Sequence, residues 1–250
     1  MNWIQPVLGL LLIIGSAGML FAFALPQRGR SPVVNRPIRA FQRLRRAIGL
    51  AVEDGTRMHV SIGQASIVGP NNASALVGLS TIERIGQMSS ISDRPPVVTS
   101  GDGTLAILSE DTLRAAYRTT NNLELYNPTQ ARLSGPTPFS YIAGTLPVIW
   151  DERVSANILV GSFGPEVALL AEASDAEGAF LLAASDSIAA QAVLYTTATE
   201  PLIGEELFAI PAYLQSGAIH TASLRAQDVL RWLVIAVMVL GSILAILGLV

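Results

Sequence analysis

The chain has 250 residues, 50% of them hydrophobic and 14% charged, and its mean hydropathy of +0.47 is too apolar for an ordinary soluble domain of this length. Its 16 basic residues, all arginine, stand against 19 acids for a net charge of -3, which argues against a nucleic-acid partner. The lack of cysteine excludes disulfides, thiolate nucleophiles and Cys-based metal centres, and the lack of lysine excludes a Walker A site, a Schiff-base enzyme and a Ser-Lys dyad.

Residues 1–25 are expected to form an N-terminal transmembrane helix. Trp3 to Leu25 is a run of 23 residues without a charge, about 35 Å long as a helix, against a hydrocarbon core of roughly 30 Å. Ala22-Phe23-Ala24 also resembles a signal-peptide cleavage site. The flanks favour a span, because the arginines Arg28, Arg30, Arg36, Arg39, Arg43, Arg45 and Arg46 follow the apolar run instead of preceding it. By the positive-inside rule that side is cytoplasmic.

Residues 26–57 read as a linker and a basic amphipathic helix. Ile38, Phe41, Leu44, Ile48 and Val52 recur at helical spacing, with Arg39, Arg43 and Arg46 on the other side. Such a helix close to a span suits an anionic membrane surface, or else packs its apolar side on a domain while the arginines are solvated.

Residues 58–222 alternate short β-rich runs, small polar turns and helical periods. This predicts a Rossmann-like α/β domain with a mostly parallel, three-layer arrangement. Four strand-turn-helix units are read, with strands at 59–63, 97–100, 158–160 and 180–184. The first helix is expected to face inward through Leu76, Leu79, Ile82 and Gly86. Residues 97–108 allow either a strand leading into a helix or a hairpin turning at Asp102-Gly103. The proline-rich residues 121–152 read as an irregular excursion with one short helix near Tyr141 to Leu146, and a helix is expected over 202–214. Residues 223–250 form the predicted C-terminal transmembrane helix, with Arg231 and Trp232 as membrane-surface anchors before the uncharged run 232–250. With a short tether at each end, the domain is expected to lie against the inner face of the membrane.

In parallel α/β sheets ligands sit beyond the carboxyl ends of the strands. The candidate ligand residues are therefore Ser61, Gly63, Ser100, Gly101, Asp102, Gly103, Gly161, Ser162, Gly164, Ser185 and Asp186, joined by Thr104 and Ser187. Small hydroxyls and bare backbone suit an anionic or polyol ligand, with Asp102 and Asp186 available for ribose or metal contacts. The same residues are also what strand-to-helix turns use for caps and positive φ. No GxGxxG, P-loop or GxSxG motif occurs. His59 and His220 are far apart, and the pairs Asp151-Glu152 and Glu205-Glu206 read as helix-start charges. No catalytic residue, metal site or cofactor is assigned. Gly18 with Ala22, and Gly241 with Ala245 and Gly248, give each span a small-residue face for contact between the spans or between protomers.

At residues 93–103, Asp111 to Tyr117, Gly161 to Glu166 and Pro201 to Ala209, the chain resembles a family of bacterial two-span membrane proteins catalogued only as a domain of unknown function. The resemblance covers most of residues 36–240 and implies a bacterial, membrane-anchored α/β domain with no established activity. The expected role is a non-enzymatic assembly or scaffold protein of the bacterial inner membrane, two-pass, with a cytoplasmic domain and both termini outside. Its partners would be the lipid bilayer and a homo-oligomer or membrane complex. The alternative is a membrane-tethered module that binds or senses an anionic or nucleotide-like small ligand.

Overall fold

The computed structural model describes residues 4–25, 38–214 and 218–247. The chain forms two compact units, one of residues 35–216 and one of residues 1–34 with 217–250.

In the larger unit six strands form one sheet in the order β3-β2-β1-β4-β5-β6, and every pairing is parallel. They are β1 (Arg57–Gly63), β2 (Val97–Ser100), β3 (Ala131–Leu133), β4 (Val154–Ser162), β5 (Phe180–Ser185) and β6 (Glu200–Leu202). This is the strand order of a doubly wound α/β sheet, in which the direction of winding reverses between β1 and β4. Alternation along the strands sorts side chains to two faces. Met58, Val60 and Ile62 of β1 join Ala156, Ile158 and Val160 of β4 in one core with α2 (Arg39–Glu53), α3 (Asn72–Met88), α4 (Gly103–Thr119) and α8 (Glu206–Tyr213). Leu159, Leu181 and Ala183 form the opposite core with α5 (Pro138–Asp151), α6 (Ala168–Ala176) and α7 (Ile188–Thr197).

The amphipathic reading of α2 holds: Ala40, Phe41, Leu44, Ile48 and Ala51 are buried, and Arg39, Arg43, Arg45 and Arg46 are exposed. Phe41 stacks on Tyr213 with ring centroids 4.6 Å apart. Arg45 donates to the Tyr213 carbonyl at 2.8 Å and Arg84 to that of Leu214 at 2.8 Å. The points at which the chain enters and leaves this unit therefore lie side by side.

Of the two readings of residues 97–108, the strand leading into a helix holds, because Asp102 has φ -119 and caps the Leu105 N–H at 2.9 Å, whereas the hairpin turn needs positive φ there. Other expectations are corrected. Leu76 is 56% exposed; α3 turns Val77, Gly78, Thr81, Ile82, Ile85 and Gly86 inward. Gly78 lets α3 approach the sheet, since a Cβ there would lie 2.5 Å from Ile62 Cγ2 and 3.1 Å from the Val160 carbonyl oxygen. The excursion 121–152 contains an edge strand, β3, and a 14-residue helix, α5, that starts at a Thr137–Ser140 capping box and continues through Pro147. Asp151 and Glu152 close α5 and do not start a helix. Leu202 ends β6, the sheet edge opposite β3, and Pro201 has no N–H for a further strand.

In the smaller unit α1 (Ile4–Ala24) and α9 (Ala218–Ile246) pack against each other. Along α1 the half-covered positions among the described side chains are Ser16, Met19, Phe23 and Ala24, while Gly18 and Ala22 are exposed. Gly241 and Ala245 of α9 are exposed as well, and Gly248 lies outside the described residues. The small-residue faces thus do not form the contact between the two helices. By length and composition, Ile219–Ile246 is the one helix among the described residues able to cross a membrane; the described apolar stretch of α1, Gly9–Ala24, is shorter. Trp232 is 70% exposed, and Arg231 pairs with Asp228 at 3.5 Å.

Candidate functional site

All six strands deliver their connections to the carboxyl edge, so the turns selected from the sequence do share one side of the domain. Most of their polar groups bond to one another. Ser100 Oγ accepts the Asp102 N–H at 3.1 Å, and Asp102 in turn caps α4. Gly103 is the first residue of that helix, with open space where a Cβ would be. Ser162 Oγ accepts from the Asn71 amide at 2.6 Å. Asp186 accepts the Ser74 hydroxyl at 2.6 Å. Ser185 Oγ accepts the N–H groups of Phe163 and Ser187, both at 3.2 Å. Glu166 accepts the Gly164 N–H at 3.1 Å. Carboxylates at three of these turns already occupy donors that an anion would need.

The glycines serve backbone packing. Gly63 has φ +62, and a Cβ there would lie 2.1 Å from the Ser162 carbonyl oxygen and 2.8 Å from the Phe163 ring; at Gly161 it would lie 2.2 Å from the Ile62 carbonyl oxygen. Gly101 donates to the Gly63 carbonyl at 2.7 Å. The crevice between β1 and β4, where such sheets bind ligands, is thus filled at its floor by Phe163, which is 6% exposed. Beside it the Gln64 side-chain nitrogen is buried and has no partner among the described residues.

Ser61 is not on the rim. Its hydroxyl is buried and bonds to that of Tyr141, at one end of a chain of polar groups beneath α5 and α6. Asn157 Nδ2 donates to Ser174 Oγ at 2.7 Å, and Ser174 donates to the Leu170 carbonyl at 2.7 Å. Asn157 Oδ1 must then accept from His59 Nδ1, 2.8 Å away. Burial pushes the His59 pKa down to about 4, so its Nε2 is a lone pair that accepts the Thr99 hydroxyl at 2.8 Å. Thr99 Oγ1 accepts from Tyr141 at 2.9 Å, and Ser61 completes the series by donating to Tyr141. Burial also raises the Tyr141 pKa. A neutral, fully buried imidazole and a protonated phenol fix the strands to α5 and α6 and do not meet a substrate.

Thr99, Tyr141 and Asn157 were not selected from the sequence, although polar residues alternating with Met58, Val60 and Ile62 along β1 mark one strand face as polar. Elsewhere Glu152 pairs with both Arg57 and Arg132 at the amino edge of the sheet. Among the described residues no group of three or more His, Asp or Glu side chains is placed to hold a metal ion. Arg39 and Arg46 make no ion pair among the described residues, while Arg43 pairs with Glu200 at 2.5 Å.

A family model described as a domain of unknown function, DUF6754, matches residues 2–250. The chain belongs to the DUF6754 family. No curated protein and no solved structure matches it significantly.

Proposed function

We propose that this protein is a membrane-anchored, non-enzymatic assembly module. On this reading α1 and α9 both cross a bacterial inner membrane, the α/β unit is cytoplasmic, both termini are outside, and the exposed arginines of α2 contact anionic headgroups. The observation that carries it is the carboxyl edge, where Phe163 is buried against Gly63 at the floor of the β1–β4 crevice and most polar groups of the neighbouring turns bond to one another. Support also comes from the adjacent entry and exit of the larger unit, which suits attachment to two neighbouring helices. Seven arginines between Arg28 and Arg46 favour the cytoplasmic side. Protease added to intact cells should leave the domain uncut, and protease added to inverted vesicles should release it; the reverse pattern overturns the topology.

One observation favours a second reading, a module for an anionic or nucleotide-like small ligand. The strand order creates a switch-point crevice, and the unpartnered amide of Gln64 lies next to it. A thermal-shift screen of nucleotides, phosphates and sugars on the detergent-extracted protein separates the readings, since a ligand that binds only the folded state stabilises it by an amount that grows with the logarithm of ligand concentration above Kd. A concentration-dependent rise in Tm supports the second reading, and no rise with any of them sinks it.

A further inference from the structure

Surface helices of α/β domains normally turn charges outward. Helix α6 does so with Glu172 and Asp175, and α2 with its arginines. Helix α5 does not. It buries Tyr141, Ile142, Thr145, Val148 and Ile149, yet its outward side carries Phe139, 72% exposed, and Trp150, 50% exposed. Ala143 and Pro147 are also exposed between them, and Leu146 is half-buried. The single charged residue in the helix is Asp151, its last.

This stripe is arranged symmetrically. Phe139 and Trp150 are equidistant from the midpoint between Gly144 and Thr145, and so are Ala143 and Leu146. Two such helices laid antiparallel about that midpoint bring each Phe139 against the other copy's Trp150, and each Ala143 against the other copy's Leu146. The same operation brings Asp151 to Pro138 at the amino end of the opposite helix, where the helix dipole favours a negative charge. No like charges meet. A contact related by a two-fold axis needs such a self-complementary surface.

We infer that the exposed face of α5 is a two-fold interface with a second copy of this chain. The inference rests on the assembly reading above and names its partner. Two aromatic and three smaller residues from each copy bury on the order of 1,000 Å² in all, the lower bound of a specific interface. Trp and Phe are residue types that anchor interfaces, and Ala143 at the crossing permits close approach. Leu133, 55% exposed at the end of β3, borders a cleft of about 270 Å³ that Gly144 and Pro147 line together with Arg132, Asp151 and Glu152, so the apolar face ends there at a charged rim.

The lack of native cysteine makes the test direct. Ala143→Cys in the full chain, treated in native membranes with a short bis-maleimide, should give a covalent dimer. Ile188→Cys, on the outward side of α7 and 83% exposed, should give little. Adding Phe139→Glu to Ala143→Cys should cut the dimer yield about tenfold, equivalent to a loss of 1.4 kcal/mol, with far-UV ellipticity unchanged because Phe139 is exposed. If native mass measurement finds an oligomer but Ala143→Cys does not cross-link, this interface is wrong and the assembly reading survives. A monomer without partners overturns both. If the cysteine at position 143 is instead modified by a bilayer-confined maleimide, α5 faces lipid and the inference fails.

Discussion

Burial sets the protonation state of His59. Its nearest fixed charges, Glu152 and Arg132, act in opposite directions and are both smaller influences than loss of solvent, and the Asn157 bond only partly offsets that loss. The sign of the stability effect follows. The imidazole titrates near 6.5 in the unfolded chain and near 4 in the folded one, so between those values the unfolded chain binds more protons. Its contribution is complete above pH 6.5 and is lost as pH falls toward 4, with an upper limit of about 3 kcal/mol. His59→Gln keeps a donor and an acceptor but cannot titrate. Its Tm should show a shallower fall from pH 6.5 to 4 than that of the parent protein; parallel curves would mean that His59 does not carry the pH dependence. The glycines at positions 63 and 161 illustrate the same scale, because the β1–β4 pairing leaves no room for a Cβ at either.

Helix ends explain what was legible in the sequence and what was not. The strands at residues 59–63, 97–100 and 180–184 and the stripe of α2 follow from hydrophobic period alone. Hydrophobicity points Leu76 inward on α3, yet the smaller residues Ser74, Gly78 and Thr81 are buried instead, and at Gly78 the sheet comes too close for any side chain. β3 escaped notice because it has three residues, pairs on one side only and contains Arg132, so it lacks the apolar run of a central strand. The selected turns share the carboxyl edge except for buried Ser61, but sequence alone does not reveal that their polar groups bond to partners such as Asn71 and Ser74, which are distant in the chain. Asp102 gives a test at this scale. Asp102→Ala removes the α4 cap and should cost about 1 kcal/mol, lowering Tm by roughly 2–4 °C, while Asp102→Asn should stay close to the parent. Equal losses in both variants would point to a role for the charge itself.

At the scale of the molecule, the two compact units are held together by different means. The unit of residues 35–216 has two internal cores. The pair α1 and α9 exposes most of its described apolar side chains, and on the proposed membrane-anchored reading it relies on lipid or detergent to cover them. Urea added to the detergent-extracted chain should therefore unfold the larger unit in one step and leave the helical ellipticity of α1 and α9, which have 21 and 29 residues. A single transition that removes all helical signal would show that the units melt together.

Pro201 on β6 limits what crowding can do to such a chain. Proteins concentrated in a two-dimensional layer meet edge to edge far more often than they do in solution, and a bare outer strand invites the next molecule to continue the hydrogen-bond ladder without end. The imino nitrogen at the middle of that three-residue strand has no proton to donate, so a ladder cannot continue outward from this edge.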